Sequence, residues 1–136
     1  KLLAMTCIRL DFRRKNHWDA MEACEKEGAE LAMPKTKELD VAVRILVRTE
    51  SHRQSFWIGM RDKGGLILHK RHWQWIDGTT LGNYKSWGPE APDDSRWFPR
   101  TKLCVQYLSG VTGGTIMWDD DNCSERHQFI CQAPLT

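Results

Sequence analysis

No apolar run in the 136 residues approaches the length of a membrane-spanning helix, so no membrane contact is expected from this stretch of chain. Neither sign of charge dominates: 20 Lys and Arg against 18 Asp and Glu leave a net charge of +2, which supports neither a nucleic-acid binder nor an acidic tail. None of the five cysteines, Cys7, Cys24, Cys104, Cys123 and Cys131, stands in a CxxC pair. That spacing fits neither a zinc ribbon nor a thioredoxin-type redox pair. GxSxG, HExxH and P-loop strings are all missing, and no nucleophile is recognisably matched to a base, so the chain does not read as an enzyme. Repeats and low-complexity tracts are absent too. There is no initiator methionine and no signal-type apolar region at the start, so the chain reads as a mature fragment.

What is present suits one domain spanning 1–136. The chain is 40% hydrophobic, enough for one core and too short for two ordinary ones, and it is rich in tryptophan, with seven. The scattered cysteines point to disulfides and an oxidising, extracellular setting. Their odd number leaves one thiol over.

Ile8, Leu10 and Phe12 alternate with Arg9 and Asp11, as in a short strand. Asn16 can cap a helix from His17 to about Glu27, with Trp18, Met21 and Cys24 on one side and Gly28 ending it. Thr36 can cap a second helix, in which Leu39, Ala42, Val43, Leu46 and Val47 repeat at helical spacing. Arg44, Arg48, His52 and Arg53 gather towards its end, where cations complement the helix dipole. Beyond Phe56 come short apolar pieces that read as strands: FWIGM, WQWI ending at Asp77-Gly78, LCVQYL, TIMW and QFIC. A long segment of about 81–103 carries Pro89, Pro92 and Pro99 and shows no period, and loops of that length are usually functional.

These landmarks, in this order, resemble a C-type lectin-like domain. The likeness covers nearly the whole chain: the helix with Trp18 and Cys24 followed by GAELA, WIGM at Trp57 to Met60, WQWIDGT at Trp73 to Thr79, the loop tryptophan Trp87, LCV at Leu103 to Val105, WDD at Trp118 to Asp120, and FIC. The resemblance implies an α+β fold of two helices, two small antiparallel sheets and a long surface loop. It also implies disulfides Cys24–Cys131 and Cys104–Cys123. Cys7 then stands where longer members carry the second cysteine of an N-terminal pair, its partner lying upstream or on another chain; a free thiol is the third option.

Sugar-binding members hold a calcium ion with a Glu-Pro-Asn or Gln-Pro-Asp triplet, a glutamate two residues before the next cysteine, and the Asn-Asp after the tryptophan. Here the matching residues are Ala91-Pro92-Asp93, Lys102 and Asp119-Asp120. Calcium takes roughly six to eight oxygens. Asp93, Asp119 and Asp120 remain, with Glu90 able to swing in, and an auxiliary site would keep Asp62 and Asp94. The ammonium of Lys102 would repel a metal ion there and can serve as counter-ion to the aspartates instead. The expectation is therefore no calcium cofactor at the sugar position, and a protein or glycan partner.

The candidate ligand-binding residues are Arg96, Trp97, Phe98, Arg100, Lys102, Asp119 and Asp120, the first four interleaving aromatics with cations as contact surfaces do. The run His69, Lys70, Arg71, His72 can bind sulfated polysaccharide, although a solvated hairpin tip is the commoner meaning, and nothing nominates further zinc ligands beside it. Asn122-Cys123-Ser124 has the glycosylation pattern, with its middle residue in an implied disulfide.

Overall fold

The computed structural model describes residues 2–3, 6–51, 55–63, 71–89, 91–92, 103–109 and 116–134. In chain order the elements are β1 (Leu2–Leu3), β2 (Thr6–Lys15), α1 (His17–Lys26), β3 (Glu30–Leu31), α2 (Lys37–Glu50), β4 (Phe56–Asp62), β5 (Trp73–Trp75), β6 (Leu103–Ser109), β7 (Ile116–Asn122) and β8 (His127–Pro134).

Both helices start where their capping residues place them. Asn16 Oδ1 accepts from the Asp19 amide at 2.8 Å, and Thr36 Oγ1 from the Leu39 amide at 3.2 Å, each satisfying a first-turn donor. Gly28, at φ 76°, supplies the left-handed backbone after α1. The buried stripe of α1 is His17, Ala20, Met21 and Cys24. Trp18, expected on that stripe, is instead 62% exposed. The reason is angular: positions 17, 20, 21 and 24 follow the i, i+3, i+4, i+7 spacing of one face, and residue 18 is turned about 100° from 17.

The strands join into one network in the order β1-β2-β8-β4-β6-β7, with β3 on β8 and β5 on β4. The two sheets implied by the resemblance are thus connected, through a parallel pairing of β4 with β8 that sets Phe56 against Gln128 and Trp57 against Phe129. β4 accordingly has neighbours along both edges, and Phe56 to Met60 are all buried. Its unbroken apolar run is that of a strand covered on both faces. Alternation sends Ile58 and Met60 into a cluster under α2 with Val43, Leu46, Val105, Tyr107 and Trp118, and sends Trp57 into a second cluster under α1 with Ala20, Met21 and Phe129. At Gly59 an added Cβ would meet the Leu31 carbonyl oxygen and the Ile76 side chain at 3.0 Å, so a side chain there would push apart segments that approach β4 closely.

Cys24–Cys131 and Cys104–Cys123 are the two disulfides, spanning 107 and 19 residues of sequence. On a chain-entropy basis they contribute about 4 to 5 and about 3 kcal/mol. Cys7 is exposed on β2 and carries no disulfide within the chain.

His17 closes the α1 cluster from one end. It is 2% exposed, packs edge-on against Trp57, and its Nε2 lies 2.9 Å from the Ile58 carbonyl. Because a carbonyl only accepts, Nε2 carries the proton of a neutral ring. Burial above all, with the charge of Arg61, lowers its pKa from 6.5 to about 4 despite the Ile58 bond. The folded state therefore refuses a proton that the unfolded chain accepts, so stability is fully present above pH 6.5 and declines as pH falls towards 4. The expected loss is on the order of 3 kcal/mol. Denaturant melts from pH 7 to 4 should show it, and His17→Gln should flatten the slope in that window; an unchanged slope in the variant would assign the effect elsewhere. Asp11, held at about 2 by Arg13 and Arg9 against the opposing effect of burial, acts only below 3.8.

Candidate functional site: the aspartate strand and the root of the long loop

Strand β7 carries Trp118, Asp119 and Asp120 in succession, paired antiparallel with Tyr107, Gln106 and Val105 of β6. Successive side chains on a strand leave by opposite faces. Asp119 falls on the side of Gln106, whose Nε2 donates to Asp119 Oδ2 at 3.4 Å, and Asp120 falls on the other side with Trp118. The Cys104–Cys123 bridge fixes the end of this hairpin, and Asp121 Oδ2 meets His127 Nε2 at 2.7 Å beside it.

The start of the long loop is stitched to the same strand. The Trp118 amide donates to the Ser86 carbonyl and the Gly88 amide to the Trp118 carbonyl, both at 2.9 Å. Trp87 stands perpendicular to Trp118 at 5.7 Å between ring centres and is tilted against Trp73 at 5.0 Å. A row of indoles thus anchors the loop, which continues through a cis Ala91–Pro92 peptide.

Beneath that row lies a carboxylate that the sequence reading passed over. Asp40, on α2, is wholly buried. Tyr107 Oη and Trp118 Nε1 donate to its Oδ1 at 2.5 and 3.0 Å, Tyr84 Oη donates to its Oδ2 at 2.5 Å, and Arg44 Nε lies 3.3 Å from Oδ2. One side chain so ties α2 to β6, β7 and the loop. Burial, then the charge of Asp40, raises the pKa of Tyr107 well above 10.0, and burial with the Asp40 bond raises that of Tyr84, so both phenols remain donors. The available signal was an aspartate three residues before Val43 on the apolar stripe of α2, with Arg44 one turn further on. Arg44 accordingly faces Asp40 and is only 24% exposed, rather than serving the helix terminus.

Asp62, a candidate auxiliary calcium ligand, is engaged by Arg71: the guanidinium donates at 2.9 Å and the His72 amide at 3.0 Å, with the two side chains 10% and 7% exposed. Arg71 is therefore a largely covered counter-ion, not a residue of a solvated tip. His69 and Lys70 lie outside the described residues, as do Glu90, Asp93, Asp94, Arg96, Trp97, Phe98, Arg100 and Lys102. Among the described residues no three His, Cys, Asp or Glu side chains group as metal ligands do. Asp119 and Asp120, on opposite faces, with an Asp62 already neutralised, do not by themselves make the six or so oxygens calcium takes, roughly.

The Lectin C-type domain model matches residues 13–133, from β2 to β8 and including both disulfides. The chain belongs to the C-type lectin family. This C-type lectin domain is 32% identical over 127 residues to rheacalcin-1 of Rhea americana, covering 89% of the chain and 83% of that protein. It is 26% identical over 130 residues to the C-type lectin lectoxin-Lio3 of Erythrolamprus poecilogyrus, covering 94% and 74%. Among solved structures, a Ca2+-dependent type II antifreeze protein in its Ca2+-free form is similar, with a TM-score of 0.75, 30% identity, and 98% and 95% of the two chains covered.

The Asp40 node makes a direct prediction for this lectin domain. Asp40→Ala strands three donors and a guanidinium in the core and should lower stability by about 3 to 5 kcal/mol in denaturant melts. Asp40→Asn, which keeps an acceptor for Tyr107 and Trp118, should lose less.

Proposed function

We propose that this domain is a non-catalytic extracellular recognition module that binds a protein or glycan ligand through the long loop and the Asp119–Asp120 strand, without calcium at the position used by sugar-binding relatives. The observation that carries this reading is Lys102, an ammonium two residues before Cys104 where a glutamate ligand would stand. At the position that the family pattern gives it, Lys102 would supply Asp93, Asp119 and Asp120 with the counter-charge a metal would otherwise bring. The arrangement around Asp62 supports the same logic, because there a guanidinium already neutralises the carboxylate. Loss of the first triplet oxygen at Ala91 shortens the ligand set further.

Recognition without metal leaves the loop itself to make contact. Arg96, Trp97, Phe98 and Arg100 supply two aromatic anchors and two cations within five residues, a composition enriched at binding hot spots. Family membership alone does not choose the ligand, since the similar solved structures include antifreeze proteins as well as carbohydrate-recognition domains.

Calcium titration followed by thermal unfolding separates the readings. A ligand bound only by the folded state stabilises it by about 2.7 kcal/mol at a hundredfold excess over Kd. The unaltered domain should show no saturable rise in Tm, and Lys102→Glu should create one. A saturable rise in the unaltered domain would instead assign it an altered calcium site of Glu90, Asp93, Asp119 and Asp120. On a glycan array, signals should be the same with and without chelator, and replacing Arg96, Trp97 and Phe98 together by alanine should remove binding while leaving Tm within a few degrees.

A further inference from the structure

A cleft of about 560 Å3 opens beside the start of α1, lined among others by Asn16, Trp18, Arg61, Lys63, Gln74 and Asn122. It abuts α1 and the Cys104–Cys123 bridge, whereas the described part of the long loop, Leu81, Tyr84 and Trp87, packs with the cluster under α2. Cys104, Cys123 and His17 form its back wall where it borders the cluster under α1, and its polar and charged lining belongs to neither cluster.

The charges on its wall do not cancel. Arg61 near the end of β4 and Lys63 just beyond it are two residues apart, and neither side chain has a hydrogen-bond or ion-pair partner among the described residues. Asp62 between them also lines the cleft, but its carboxylate is held by Arg71. Two cations are therefore left over, facing an open space of ligand size.

The polar groups beside them are fixed. Asn16 Oδ1 is used by the Asp19 amide, and Asn122 Oδ1 by the Ser124 amide and hydroxyl at 2.9 and 2.7 Å. What remains on each side chain is an Nδ2 donor with no partner among the described residues. Trp18 completes the wall at 62% exposure, while Trp57, Trp73, Trp75 and Trp118 are all buried. An open indole face beside amide donors matches the C–H face and hydroxyl rim of a sugar ring. Two cations could also hold an acidic peptide, and it is the open indole beside the amide donors that favours a sugar ring.

We propose that this cleft is a second, metal-free site for an acidic saccharide, whose sulfate or carboxylate is held by Arg61 and Lys63, whose hydroxyls accept from Asn16 and Asn122, and whose ring lies on Trp18. No described residue of the long loop lines the cleft, and the proposal does not depend on how the loop surface works.

Calorimetry in the presence of chelator, with a heparin-derived hexasaccharide and a hyaluronan hexasaccharide as probes, tests it and tells sulfate from carboxylate. Saturable binding of at least one probe is expected, weakening as salt is raised. Lys63→Glu should weaken it about tenfold or more, as loss of a bond to a charged group does, and Trp18→Ala should weaken it severalfold. Both side chains are exposed, so unchanged melting of the variants confirms that the fold is intact. Three results would overturn the proposal: neither hexasaccharide binds, binding is indifferent to both substitutions, or a glutamate-rich peptide binds the cleft as tightly as the sugars. None of these bears on the calcium titration of the loop surface, so the two readings stand or fall separately.

Discussion

A single buried carboxylate determines how the second helix, the sheet and the loop can meet. Asp40 accepts from two phenols and an indole and lies against a guanidinium, with no exposure to water. Such a group is costly to bury and is tolerated only when each oxygen is satisfied by well-placed donors. That requirement works in reverse on its neighbours: Tyr84, Tyr107 and Trp118 must hold their polar atoms within reach of α2, which fixes the register of β6 against β7 and the point at which the loop leaves the core. The tryptophan preceding the two aspartates is thereby a structural part first, and Asp119 and Asp120 inherit their positions from it.

The other organising feature is β4. Pairing with β6 along one edge and with β8 and then β5 along the other joins what would be two sheets into one, and alternation along it separates two hydrophobic clusters, each under its own helix. The disulfides follow this division. Cys24–Cys131 closes the cluster under α1, and Cys104–Cys123 ties β6 to the turn after β7. For a domain this small, both add to a core that packing alone supports less generously than in larger chains.

Charge neutralisation by side chains recurs through the molecule. Asp62 is met by Arg71, Asp40 by Arg44, Asp11 by Arg9 and Arg13. Arg61 and Lys63 depart from that pattern: they border the cleft without an ion-pair partner among the described residues, the carboxylate between them being held by Arg71.

The sequence alone determined both helices with their caps and the longer strand segments, because these are written in local chemistry: a side chain that satisfies its own helix terminus, and an apolar period. A string of landmarks in fixed order gave the family, and through that resemblance the cysteine pairs. The sequence also carried the Ala91 and Lys102 departures from the calcium-binding pattern, since residue identity suffices to count oxygens. Tertiary structure decided the rest. That Trp18 faces outward while His17 is buried depends on the angle at which α1 lies on the sheet, which a one-residue difference in position cannot announce. That Arg71 belongs to Asp62 and Arg44 to Asp40, rather than to solvent or a helix dipole, depends on which strands are neighbours. Polar partnerships of this kind are settled only when distant parts of the chain have excluded water from between them, and no local pattern records that.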